Sequence, residues 1–309
     1  MDTPSSSLDM SPPQRPPGPA LFRGIWVPLI TPFRHGAIDV PALRGLVRHY
    51  RQAGVHGLVA CGSTGEAAAL DADEQLLALD AILAEAGGVP VVMGLSGSHQ
   101  RNAVARASML AERPIAGLLA SAPAYVRPAQ DGLRQWFEAL ADATRVPLVL
   151  YDIPYRTGAT LETATLLALA AHPNIAAIKD CGGSLDKTVA LIADGRLAVL
   201  AGEDMQTLTT LCLGGAGVIA ASAHIRPDLY LAIYNAVQDG DLGRARRCFH
   251  ALAPLIRLLY AHPNPGPLKA ALAALHGCED APRPPMSAPD PALRAALAEV
   301  IAGLPPPDK

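Results

Sequence analysis

The chain has 309 residues and a mass of 32.1 kDa, enough for one large domain with an appendage and too much for a small stapled scaffold. Half of the residues are apolar, 17% are charged and the formal net charge is -3, a balance that excludes a disordered or strongly basic, nucleic-acid-binding chain. No apolar run approaches the ~20 residues a bilayer needs. No charged start with an apolar stretch and a small-residue cleavage site opens the chain, so the expected address is the cytoplasm. The five cysteines, at 61, 181, 212, 248 and 278, lack the spacing of a metal knuckle or a disulfide framework and fit a reducing compartment.

The first twenty residues hold six prolines and four serines and almost no large apolar side chain, so residues 1–21 are expected to form a flexible tail. From Gly24 onward, short aliphatic and β-branched runs alternate with longer stretches at helical spacing. Strands are expected at 25–30, 57–61, 89–93, 115–119, 147–151, 175–178, 198–201 and 218–221. Helices are expected near 40–53, 72–86, 99–112, 131–143, 161–171, 184–193 and 204–213, with Asp71 and Ser184 as capping residues. Eight such units closing on themselves make a (β/α)8 barrel over 22–225. After the eighth strand only helical patterns remain, at 227–237, 242–260, 266–276 and 291–302, so a helical extension is expected over 226–309.

In such a barrel, reactive groups gather where strands end, because that face collects side chains from several strands. Lys179 ends the apolar run Ile175-Ala176-Ala177-Ile178 and is one of four lysines against twenty-one arginines. A desolvated lysine can lose its proton and attack a ketone, which an arginine cannot. Two readings fit it: a Schiff-base nucleophile, or a structural lysine paired with Asp180 or another carboxylate. Gly62-Ser63-Thr64-Gly65 sets backbone N–H groups and two hydroxyls outside strand two, either as a carboxylate pocket or as an ordinary glycine turn. Tyr151 ends strand five as a proton-transferring phenol or an apolar plug, and Arg156 follows as a carboxylate ligand or a surface ion pair. The nine histidines form no metal-binding pair at a strand end. Gly214-Gly215-Ala216-Gly217 reads as a helix stop rather than a phosphate loop, so neither metal nor cofactor is expected.

Taken together, Gly62-Ser63-Thr64-Gly65-Glu66, the segment from Tyr151 to Gly158, Ile178-Lys179-Asp180 and the run from Pro263 to Lys269 resemble the dihydrodipicolinate synthase and N-acetylneuraminate lyase family, over residues 22–303. The resemblance implies a (β/α)8 barrel with a C-terminal helical extension and a Schiff base between Lys179 and pyruvate. It implies that Ser63 and Thr64 bind the pyruvate carboxylate, that Ile219 of strand eight lines the substrate site, and that Tyr151 and Ser63 relay protons. Ala122-Pro123-Ala124-Tyr125 resembles the family's loop in which a tyrosine reaches into a neighbour's site, so Tyr125 is expected to complete the relay in a homotetramer built as a dimer of dimers. Arg156-Thr157-Gly158 resembles the synthase branch. The implied reaction is condensation of pyruvate with L-aspartate-4-semialdehyde to 4-hydroxy-tetrahydrodipicolinate, a step of lysine and diaminopimelate biosynthesis.

The chain also departs from the family pattern. Ser63 stands where threonine is usual, Asp152 where asparagine is common, and Asp180-Cys181-Gly182-Gly183 where an acidic-Ala-Thr-Gly run is frequent. Ala124 replaces a frequent tyrosine, and the stretches 72–75 and 98–102 depart from the His, Asn and Glu usual in a lysine-feedback site, so weak or absent lysine inhibition is expected. The Ser63 and Asp180-Cys181-Gly182-Gly183 departures keep in view a lyase for a 2-keto-3-deoxy sugar acid or N-acetylneuraminate-like substrate; a catalytically silent barrel that senses a keto acid is the alternative of another class.

Overall fold

A computed structural model describes residues 19–306. The expected tail lies outside the described residues except for its last three, Pro19–Leu21, which form a short 3-10 turn. Eight parallel strands close into a barrel: β1 (Gly24–Pro28), β2 (Gly57–Ala60), β3 (Val91–Leu95), β4 (Gly117–Ser121), β5 (Leu148–Asp152), β6 (Ile175–Asp180), β7 (Ala198–Ala201) and β8 (Gly217–Ile219). Each strand bonds to the next in sequence, and β8 returns to β1 through Gly24 against Gly217. Both faces of these strands are covered, one by the barrel interior and one by helices, which is why they read as continuous apolar runs rather than alternating ones.

Alternate side chains of the strands fill the interior: Trp26, Val59, Val92, Leu119, Val149, Ala177, Leu200 and Ile219 pack together, with Phe22 against Trp26. Gly57 admits the Trp26 ring, since a Cβ there would collide with it. The outer helices start where the sequence supplies caps. Asp39 accepts from Ala42 N, Asp71 and Glu74 form a reciprocal capping box, and Ser184 accepts from Lys187 N.

Strand ends move by up to two residues from the expected ones. β3 starts after Pro90, which has no N–H to give a neighbour, and β4 starts at Gly117 because Ile115 N turns back onto Arg113 O. Several short elements come as additions: a two-residue antiparallel pair, Phe33–Arg34 with Ala37–Ile38, a single helical turn at Pro154–Thr157, and 3-10 turns at Ala67–Ala69, Ser222–His224 and Asp204–Gln206, the last opening the helix Thr207–Cys212. All are shorter than any periodicity can reveal.

After β8 the helices Pro227–Gln238, Leu242–Leu259, Gly266–His276 and Pro291–Ala302 pack on one another beside the barrel. The connections between them come back to the barrel mouth. Asn264 donates to Thr64 Oγ1, and the backbone N of Arg283 donates to Glu66 Oε2. Among the described residues no helix is long and apolar enough to cross a membrane, and no cluster of His, Cys, Asp and Glu is arranged to hold a metal ion.

Candidate active site

Lys179 and Tyr151 are directly paired partners on β6 and β5, so the barrel register itself sets them side by side. Lys179 is 6% exposed, and its Nζ donates to the Tyr151 hydroxyl at 3.3 Å. Gly202, just past β7, permits this packing: a Cβ there would strike Lys179 Cγ and Cys181 Sγ. The structural ion pair that the sequence left open belongs to a different lysine. Lys187 pairs with buried Asp152 and approaches Asp180 at 4.0 Å, while Asp180 also accepts from Thr188 Oγ1 and Gly182 N. Lys179 forms no ion pair among the described residues.

Gly62-Ser63-Thr64-Gly65 lies between two non-glycine residues in the left-handed region, Cys61 at φ 49° and Glu66 at φ 54°. Such conformations are costly and persist only where the surroundings hold them. Here Thr31 Oγ1 donates to Gly65 O at 2.7 Å, Asn264 Nδ2 donates to Thr64 Oγ1 at 3.0 Å, and the Glu66 carboxylate is buried against Lys269. Gly65, Glu66 and Ala67 direct their N–H groups back into the turn, onto Gly62 O and Ser63 O. The N–H groups of Ser63 and Thr64 find no acceptor among the described residues. Two adjacent unused donors held by a fixed turn are a feature able to accept an anion.

Both features open into one cavity of about 500 Å³ at the barrel mouth, lined by Ser63, Thr64, Tyr151, Arg156, Lys179 and Ile219, together with Glu203, Tyr260, His262 and Asn264. A second cavity, of about 370 Å³ and largely apolar, shares Ser63, Tyr151 and Arg156 with it. Burial pushes the Tyr151 phenol well above its ordinary value, opposed by a hydrogen bond with the Ser63 side chain. Arg156 has no ion pair among the described residues; its guanidinium stands 5.9 Å from the Tyr155 ring. Six of the seven expected site residues therefore line one cavity. The seventh, Tyr125, stands apart, 94% exposed on a loop where its own φ is 76°.

Glu203, Asn264, His262 and Tyr260 line the cavity without a role assigned from the sequence. Glu203 follows Gly202 at the end of β7, and the strand-end criterion that found Lys179 applies equally to it. Asn264 and His262 come from the extension, about two hundred residues from the turn at 62–65; Asn264 lies in the run from Pro263 to Lys269 that carries part of the resemblance, whereas His262 has no local signal. Tyr260 ends the helix Leu242–Leu259 and is fixed by donating to Asp204 Oδ1 at 3.1 Å.

Comparison with known proteins agrees with this geometry. The family model described as the dihydrodipicolinate synthetase family matches residues 21–303. Among relatives, the 4-hydroxy-tetrahydrodipicolinate synthase of Hyphomonas neptunium is 38% identical over 294 residues, covering 92% of this chain and 99% of its own length. That of Pelobacter propionicus is 34% identical over 284 residues, covering 91% and 98%. Among solved structures, the dihydrodipicolinate synthase of Aquifex aeolicus superposes with a TM-score of 0.88 at 31% identity, covering 92% of this chain and 99% of its own. The chloride-inhibited dihydrodipicolinate synthase of Acinetobacter baumannii, solved in complex with pyruvate, gives 0.88 at 30% identity, covering 91% and 99%. With the barrel, the strand-end lysine and the match over nearly the whole described chain in agreement, the protein belongs to the dihydrodipicolinate synthetase family.

Proposed function

We propose that this chain condenses pyruvate with L-aspartate-4-semialdehyde through a Schiff base on Lys179, giving 4-hydroxy-tetrahydrodipicolinate. The observation that carries the reading is the convergence, in one cavity, of a buried unpaired lysine, a phenol touching it and two unused backbone N–H groups. The N–H groups of Ser63 and Thr64 suit the carboxylate of a 2-keto acid, and Lys179 is placed to attack the neighbouring carbonyl. Addition and loss of water give the imine. The protonated imine draws electrons from the methyl group, which loses a proton to become an enamine. The enamine carbon attacks the aldehyde, and the acceptor's amine then displaces Lys179 as the ring closes. Tyr151, kept protonated by burial and bonded to Lys179, is the group positioned to carry protons between these steps.

The choice of acceptor rests on Arg156, the one guanidinium among the residues lining the cavity. It pairs with no carboxylate among the described residues and suits the acceptor's α-carboxylate bidentately. The names carried by the relatives support the same acceptor. Exposed Tyr125 supports a dimer in which each protomer's Tyr125 enters the second cavity of its partner beside Ser63 and Tyr151, with two such dimers forming a homotetramer in the cytoplasm. Coupled turnover of pyruvate against a panel of small aldehydes tests the reading. Aspartate semialdehyde should be the preferred acceptor, and Arg156→Ala should cripple its use. An Arg156→Ala enzyme that works normally would contradict the assignment.

A further inference from the structure

Glu203 is the only carboxylate among the residues lining the main cavity, where the other ionisable side chains are Arg156, Lys179, His262 and three tyrosines. Its Oε1 is buried and has no hydrogen-bond partner among the described residues, although Cys181 and Tyr155 lie beside its side chain. A buried carboxylate oxygen without a donor is costly, and at the mouth of a site it is explained when a ligand brings the donor. Pyruvate brings none. An acceptor that carries both a carboxylate and an ammonium group matches a cavity holding one guanidinium and one carboxylate.

We propose that Glu203 is a specificity residue that receives the α-ammonium group of the aldehyde acceptor, while Arg156 receives its α-carboxylate. The inference rests on the function proposed above and adds the group that tells an amino-acid aldehyde from one without nitrogen.

The test compares L-aspartate-4-semialdehyde with succinic semialdehyde, which lacks only the amino group, on the pyruvate-loaded enzyme. In the wild type, succinic semialdehyde should bind on the order of tenfold or more weakly. In Glu203→Gln the two should bind alike, because the KM for aspartate semialdehyde rises while the inhibition constant of succinic semialdehyde stays put. Borohydride trapping of pyruvate should persist in the variant, and Glu203→Asp should recover part of the discrimination. Equal binding of the two aldehydes by the wild type overturns the inference without any variant. So does an equal loss for both in Glu203→Gln, or loss of its pyruvate adduct, which would tie Glu203 to Lys179 instead. A wild type that traps pyruvate but never consumes aspartate semialdehyde fails the proposed acceptor, and this inference with it.

Discussion

Lys179 Nζ stands 3.3 Å from the Tyr151 hydroxyl because the two residues are register partners on adjacent strands. The contact is thus fixed by the barrel rather than by a mobile loop, the arrangement expected where a reacting geometry has to hold. Tyr151→Phe keeps the ring and removes only the hydroxyl. It should lower kcat by ~10²- to 10⁴-fold, the usual worth of a positioned acid or base, with a much smaller change in the KM for pyruvate. Steady-state kinetics decide it, and an unchanged kcat would leave Tyr151 as packing alone.

The turn at 62–65 is steadied from the helical extension. Asn264→Ala removes the donor to Thr64 Oγ1 and should raise the KM for pyruvate roughly three- to tenfold, in line with one hydrogen bond, while kcat falls less. A kcat effect with no change in KM would place Asn264 elsewhere in the cycle.

Deeper in the same turn, Glu66 and Lys269 are paired in the core, with Lys269 Nζ 4.0 Å from the Phe33 ring centroid. Lys269→Met leaves the Glu66 carboxylate buried without its cation and should cost about 3–5 kcal/mol in denaturant unfolding. Combining it with Glu66→Gln should recover much of that loss. A double variant as unstable as Lys269→Met would show that the charge pairing is not what matters.

His224 gives a pH dependence of stability. Its Nε2 accepts from Ile30 N, so Nδ1 carries the proton and donates to Ala221 O, and the buried ring is held neutral with its pKa pushed down to about 4. The unfolded chain takes up a proton near the ordinary value of 6.5 and the folded one does not, so stability is intact above that value and declines as pH falls toward about 4. The loss from this residue is about 3 kcal/mol, and burial shifts His49, His56 and His276 in the same direction. Denaturant unfolding between pH 7.5 and 4.5 checks it; a flat profile would contradict a ring kept neutral by burial.

Lysine should inhibit weakly or not at all. Four polar groups of the two stretches compared with a feedback site are already engaged: Glu74 binds Arg283 and caps a helix, Gln75 binds Arg106, His99 caps the helix Gln100–Leu110, and Ser98 donates to Ala124 O. Inhibition at micromolar lysine would overturn this.

The barrel was legible because each βα unit carries its own local signals, apolar strand runs and helix caps, whose sum permits few architectures. Lys179 was legible because a lysine at the end of a buried strand breaks an apolar pattern. Its neighbours differ. That Lys187, and not Lys179, takes the structural ion pair depends on where the next helix sets a side chain against Asp152, which no spacing states. Asn264 and His262 reach the mouth only through the packing of the extension. The Ser63 and Thr64 N–H groups become informative once the hydrogen bonds of the whole turn are counted.

The central claim, that Lys179 is the nucleophile, is tested most directly by borohydride reduction in the presence of pyruvate followed by peptide mass analysis. One reduced pyruvate imine should appear on Lys179 in the wild type, and none on the chain after Lys179→Arg. An adduct on another lysine, or one that persists in that variant, would contradict the account.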